Sequence, residues 1–220
     1  MVEHHIAGPR TARYFTIGTP GAQIGRLWYV LHGHGQLAER FLREFEVLDD
    51  GATLVVAPEG LSRMYLRGGN GTIGASWMTS EDRLNEISDY VGYLNLLHSR
   101  LIPQLSNPGL AITLLGFSQG AATAGRWLAS GGIAATQLLL CGGLLPPEFL
   151  PQQLGQTSAA FVIGREDSFV NREELQAQRT ALQSAGKAVQ VVEFDGGHRV
   201  PASELGRFLS ATHQHSLSAG

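Results

Sequence analysis

The most informative stretch of the 220-residue sequence is Gly116-Phe117-Ser118-Gln119-Gly120. A serine framed this way serves acyl transfer when it sits on a sharp strand-to-helix turn. The glycines keep side chains out of the crowded turn, and the hydroxyl stands at a helix N-terminus that favours negative charge. The context fits. The apolar run AITLL (Ala111 to Leu115) comes just before, and an alanine-rich run with Ala121, Ala122 and Ala124 comes just after. The plainer alternative is a serine that only caps a helix after a glycine turn.

A serine hydroxyl needs a base to take its proton. Of the eight histidines, His4 and His5 fall in a terminus expected to fray, His213 and His215 in the C-terminal tail, and His98 in a helix. His32, His34 and His198 remain. His198 follows the run VQVVEF through Asp195-Gly196-Gly197, which puts it on a glycine-rich loop at a strand end. The group that orients the imidazole must be an acid. Glu166, Asp167, Glu193 and Asp195 are candidates. Asp167, just past the run AAFVI, is favoured. Asp195 stands only three residues before His198 and is the alternative.

Acyl transfer also needs N–H donors for the developing oxyanion. The residue after the nucleophile, Gln119, supplies one. The second is expected from the loop after an early strand. His32-Gly33-His34-Gly35 follows RLWYVL, and we assign the donor to His34. Gly33 and Gly35 let backbone approach a substrate there. A metal site on His32 and His34 is the competing reading, but no third ligand with suitable spacing stands out. Trp77 and Met78 are candidates for an acyl pocket, since such pockets are apolar and aromatic. A packing tryptophan is the plain alternative. Met64 and Tyr65 are weaker pocket candidates.

Short apolar runs alternate with amphipathic stretches along the chain. Strands are expected at 11–18, 26–31, 53–57, 111–115, 137–141, 159–163 and 189–194. Helices are expected at 37–48, 87–101, 119–129, 172–184 and 201–212. The segments 61–79 and 142–155 read as loops. Continuous apolar strands separated by helices indicate an α/β class, with a mostly parallel central sheet covered by helices on both faces. No linker or repeat is visible, so 1–220 reads as one domain, with 1–10 and 213–220 as frayed termini. The loop after Cys141 is too short for a large lid domain. Ligands of open α/β sheets bind beyond the carboxyl ends of the strands, which is where Ser118, Asp167, His198 and His34 fall.

Composition narrows the class. Charged residues make up 16% and the net charge is −3, so nothing attracts nucleic acid. The single cysteine, Cys141, cannot form an intramolecular disulfide and reads as a buried thiol. Met1 to Pro9 lacks the apolar run of a secretory leader, and no run spans a membrane. A soluble, cytoplasmic protein is expected. The chain leaves the oligomeric state open, a dimer included. Half of the 28 glycines fall in loops placed at strand carboxyl ends; the group from Gly68 to Gly74 has no evident role.

With these residues in place, the chain resembles the phospholipase/carboxylesterase family of small α/β-hydrolases, which includes the acyl-protein thioesterases. The landmarks are LHGHGQ (31–36), APEG (57–60), SW (76–77), GFSQG (116–120), GREDSFV (164–170) and GGHRV (196–200). The chain order Ser118, Asp167, His198 is that of α/β-hydrolases. The resemblance implies a triad of those three residues, oxyanion donors at His34 and Gln119, and no cofactor. Asn171 stands where family members often carry a proline, and 63–74 departs further. The expected activity is hydrolysis of small-molecule or lipid-like carboxylic esters through an acyl-enzyme, of carboxylesterase or lysophospholipase type. An acyl thioesterase on the same residues and a non-catalytic binding protein of this fold are the competing readings.

Overall fold

The computed structural model describes residues 1–67, 69 and 71–210. Seven strands form the central sheet: β1 (Tyr14–Ile17), β2 (Arg26–Leu31), β3 (Thr53–Pro58), β6 (Ala111–Phe117), β7 (Gln137–Cys141), β8 (Ser158–Gly164) and β9 (Val189–Phe194). Their spatial order is β1-β3-β2-β6-β7-β8-β9. All neighbours are parallel except β1, which pairs antiparallel with β3. Two further strands, β4 (Ser62–Tyr65) and β5 (Ile73–Ser76), form a separate antiparallel hairpin.

The sheet carries helices on both faces, as its sequence pattern predicts. Leu27, Tyr29 and Leu31 of β2 point to one face, with Leu114, Leu138, Leu140 and Phe161 of later strands. They pack under α2 (Arg83–Leu101), α3 (Gln119–Ala129) and α4 (Arg172–Ser184), through Tyr90, Leu94, Trp127, Leu175 and Leu182. Trp28 and Val30 of β2 point the other way, with Leu115, Leu139, Cys141 and Val162. That face is covered by α1 (Ala38–Leu42), the turn of 3₁₀ helix after it, and α5 (Gly206–Ser210). This period-two division of apolar side chains is what burial on two faces requires.

Three expectations need correction. The segment 61–79 is no featureless loop, because Ser62 pairs with Ser76 and Tyr65 with Ile73 across the β4–β5 hairpin. The helix expected over 37–48 is α-helical only to Leu42, and Arg43–Leu48 winds as 3₁₀. Leu42, Phe45 and Leu48, all buried, follow the three-residue period of that tighter helix. Towards the C-terminus, Ala202–Glu204 is a 3₁₀ turn before α5; the tail 213–220 lies outside the described residues. The N-terminal residues 1–12 have no regular structure and are mostly exposed. No helix among the described residues is long and apolar enough to cross a membrane.

Candidate active site

A single residue separates β6 from α3, so Ser118 must carry the whole reversal. It does so at φ 53°, ψ −116°, a conformation rare for a residue with a side chain. Such strain costs about 1–3 kcal/mol and persists only where the surroundings enforce it. The Ser118 N–H donates to the Cys141 carbonyl (2.9 Å), and the Ser118 carbonyl accepts from the Ala121 N–H (2.9 Å). Both flanks are too tight for side chains. A Cβ on Gly116 would stand 2.6 Å from Ala121 Cα, and one on Gly120 2.7 Å from the His32 carbonyl oxygen. The serine is half-buried at the first turn of an 11-residue helix.

Asp167 and His198 come from the loops after β8 and β9, which are neighbours in the sheet. Asp167 Oδ2 accepts from His198 Nδ1 at 2.9 Å, and its Oδ1 accepts from the Phe169 N–H at 2.9 Å. The Asp167 side chain is fully buried, whereas the imidazole is 20% exposed. A proton held on Nδ1 by a carboxylate leaves Nε2 free to accept another. The imidazole lies between two phenyl rings, Phe117 at 4.8 Å and Phe169 at 4.6 Å. The loop after β7 joins this pair to the serine. A Cβ on Gly142 would stand 3.2 Å from His198 Nδ1, and one on Gly143 3.3 Å from Ser118 Cα. Asp195, the alternative acid, is exposed and paired with Arg165, and Glu193 is paired with Arg172.

The loop after β2 folds on itself. The Gly33 N–H donates to Gln36 Oε1 (2.8 Å) and the Gln36 N–H to the Gly33 carbonyl (3.2 Å). The backbone N–H groups of His34 and Gln119 have no acceptor among the described residues. Both remain available to a ligand. His32 is wholly buried beneath this loop. Its Nδ1–H donates to the Gly33 carbonyl (2.8 Å), and its Nε2 accepts from the Gly60 N–H (2.9 Å). Burial pushes its pKa down, against weaker opposing effects of the Gly33 bond and Glu59. With both nitrogens committed to backbone, His32 has no lone pair for a metal. Among the described residues only Glu3, His5 and Asp82 cluster as possible metal ligands, all of them exposed, and neither His32 nor His34 is among them.

Trp77 does not form a pocket wall. It is 1% exposed, its Nε1–H donates to the His32 carbonyl (2.8 Å), and its ring stacks on His32 at 5.0 Å. Met78 is half-buried, with its sulfur 3.5 Å from Arg126 Nη1 and its carbonyl accepting from Gln119 Nε2 (2.7 Å). Met64 and Tyr65 lie on β4, Tyr65 being exposed. A groove of about 370 Å³ runs beside His198, lined by Gln36, Phe41 and Phe117 among others. A larger cavity, about 920 Å³, lies between residues 6–12 and α2 and holds none of the candidate residues.

Several contributors escape the sequence reading. Phe169 is 78% exposed yet its ring packs against His198, tilted by 37°. Its position two residues after Asp167 is the only signal available. Glu59 is buried, bound by Arg13 (2.7 and 3.0 Å) and by the Ala38 N–H (3.2 Å). It anchors the start of α1, and a lone charge in the apolar stretch APEG is a weak sign of that role.

The fold is widely represented among solved structures. Esterase PE8 superposes with a TM-score of 0.70 at 20% identity, over 91% of this chain and 99% of that one. Zea mays acyl-protein thioesterase 2 gives 0.67 at 20% identity, over 92% and 99%. The Bacillus cereus carboxylesterase gives 0.66 at 15% identity, over 92% and 94%. These likenesses establish the α/β-hydrolase fold. No curated protein matches the sequence. A family model described as serine hydrolase (FSH1) matches residues 68–207, more than half of the chain. That span carries Ser118, Asp167 and His198 at the carboxyl ends of their strands, and the chain belongs to the serine hydrolase (FSH1) family.

Proposed function

We propose that the protein hydrolyses carboxylic esters through a covalent acyl-enzyme on Ser118. The observation that carries this reading is Ser118 on its strained turn at the head of α3, across Gly142-Gly143 from a His198 bonded to Asp167. Ser118 Oγ attacks the carbonyl carbon while His198 Nε2 takes the hydroxyl proton. The fully buried Asp167 carboxylate stabilises the imidazolium that forms. The N–H groups of His34 and Gln119 hold the oxyanion. When the tetrahedral intermediate collapses, the bond to the alcohol oxygen breaks and His198 returns its proton to that oxygen. Water then attacks the acyl-enzyme by the same route, and Ser118 recovers its proton as the acid leaves.

The substrates we propose are small-molecule or lipid-like esters. An aryl ester is the direct test. The wild-type protein should turn it over and should be labelled on Ser118 by a fluorophosphonate; Ser118→Ala should do neither. Near-normal turnover by Ser118→Ala would sink the assignment. Aryl esters of graded acyl length, beside a thioester and a lysophospholipid, would rank the acyl groups and separate esterase from thioesterase.

A further inference from the structure

The glycine-rich hairpin, unexplained by the sequence, makes a set of contacts that all end on one feature of the site. The Gly35 N–H donates to the Ala75 carbonyl (2.8 Å), and the Ala75 N–H donates to the Gln36 carbonyl (3.1 Å). Ser76 Oγ stands 3.3 Å from His34 Nδ1. The side chain of Gln119 is held at both ends by the next two residues. Its Oε1 accepts from the Trp77 N–H (3.1 Å) and its Nε2 donates to the Met78 carbonyl (2.7 Å). The residues touched are His34, its two successors, and Gln119. They carry or adjoin both proposed oxyanion donors, which come from two separate loops, one after β2 and one after its neighbour β6.

We infer that the segment Gly74–Met78 is a splint that fixes the separation of the His34 and Gln119 N–H groups. Gly74 and the Gln119 side chain are its positioning residues. The inference rests on the esterase reading of the site. Close approach is built in at Gly74, where a Cβ would stand 2.8 Å from Gly35 Cα and closer still to the Gly35 carbonyl. Leu66, at the end of the hairpin's first strand, packs near Gly35 as well: a Cβ on Gly35 would stand 3.2 Å from its methyl group. The hairpin belongs to its own two-stranded sheet and, among the described residues, pairs with no strand of the central one. A two-stranded unit is marginal alone, so its geometry is set by what it is tied to. The ties to the oxyanion loop and to Gln119 therefore constrain both partners together.

Two variants and a control test this. Gly74→Ala forces the hairpin and the Gly35 backbone apart. Gln119→Ala keeps the backbone N–H at 119 but releases it from Trp77 and Met78. Gly69→Ala is the control, since a Cβ there meets nothing within 4 Å. Each is assayed for aryl-ester turnover, for inhibition by an alkylboronic acid, and for thermal unfolding. The boronate adduct on Ser118 places a B–O bond where the oxyanion forms. Loss of one oxyanion donor typically lowers kcat by about 10²–10³-fold. We expect about 100-fold for Gly74→Ala and about 10-fold for Gln119→Ala, with KM within about twofold. The boronate Ki should rise by the factor that kcat falls, as a transition-state analogue requires. A general packing defect would not move Ki and kcat together at constant KM. Gly69→Ala should match the wild type.

Folded variants with kcat within about twofold of wild type, or with losses confined to KM, overturn the splint. If Gly74→Ala does not fold, Gln119→Ala decides. A wild-type protein that neither turns over the ester nor takes the fluorophosphonate overturns the esterase reading and the splint with it. An active wild type with unimpaired variants overturns the splint alone.

Discussion

Replacing His32 by alanine would test whether a neutral, buried imidazole supports the oxyanion loop. The ring satisfies the Gly60 N–H, gives the Gly33 carbonyl a second donor, and stacks on Trp77. Its loss orphans the Gly60 N–H, at about 1–3 kcal/mol, and removes a ring pair worth about 0.5–1.5 kcal/mol. A cavity at a wholly buried position adds to this, for a total of about 3–5 kcal/mol. At about 2–4 °C per kcal/mol for a chain of this size, Tm should fall by about 6–20 °C. The pH dependence is a second, sharper readout. In the folded protein burial holds the His32 pKa below its ordinary value. Below a pH of about 6.5 the unfolded chain therefore binds a proton that the folded one does not. Its contribution is fully present above that pH. It is lost on acidification at up to about 1.4 kcal/mol per unit, until His32 itself titrates in the folded state. Urea unfolding of wild type and His32→Ala between pH 8 and 5 isolates the contribution of His32. His98, whose pKa burial also lowers, contributes to both proteins and cancels in the difference. A stability loss under about 1 kcal/mol, or equal acid slopes in the two proteins, would refute the reasoning.

Two further outcomes follow from the geometry. Asp167→Asn should lower kcat by about 10³–10⁴-fold, because a carboxamide neither fixes the imidazole tautomer nor stabilises its cation; steady-state kinetics beside Asp195→Asn, expected to be near wild type, checks the assignment. Phe169→Ala should leave Tm within about 2 °C, since the ring is 78% exposed. It should lower kcat by about 2–10-fold through loss of one of the two tilted ring contacts that hold the imidazole, and Phe169→Tyr should restore it.

The sequence made the central sheet legible because parallel strands buried on two faces need continuous apolar runs. RLWYVL, TLVVA and AITLL each carry one, and each becomes a strand. The candidate residues were legible for a related reason. Glycines and polar residues just past such a run mark a strand's carboxyl end, which is where Ser118, Asp167 and His198 stand. The β4–β5 hairpin was not legible, since its four-residue strands pair through backbone and four glycines (Gly68, Gly69, Gly71 and Gly74) fall between the strands or in the second one, with no alternating pattern. Trp77 was ambiguous for a different reason. Whether an indole lines a pocket or fills a core depends on what lies opposite it. Here that is His32, 45 residues earlier in the chain. The split of 37–48 into two helix types follows from a spacing of three that a reading in turns of 3.6 absorbs without notice.

The parallel order of the strands has a consequence for how activity arises in time. Ser118, Asp167, His198 and His34 each stand after a different strand, and the pairings that align those ends are distant in sequence, such as Tyr29 beside Leu114. Every such pairing must close a long loop before its contacts can offset the lost entropy, so these steps come late in folding. A partly zipped sheet can hold helices and buried apolar surface while the serine, the imidazole and the oxyanion donors are still apart. Recovery of ester turnover during refolding should accordingly lag behind the recovery of helical signal and report the last strand to dock.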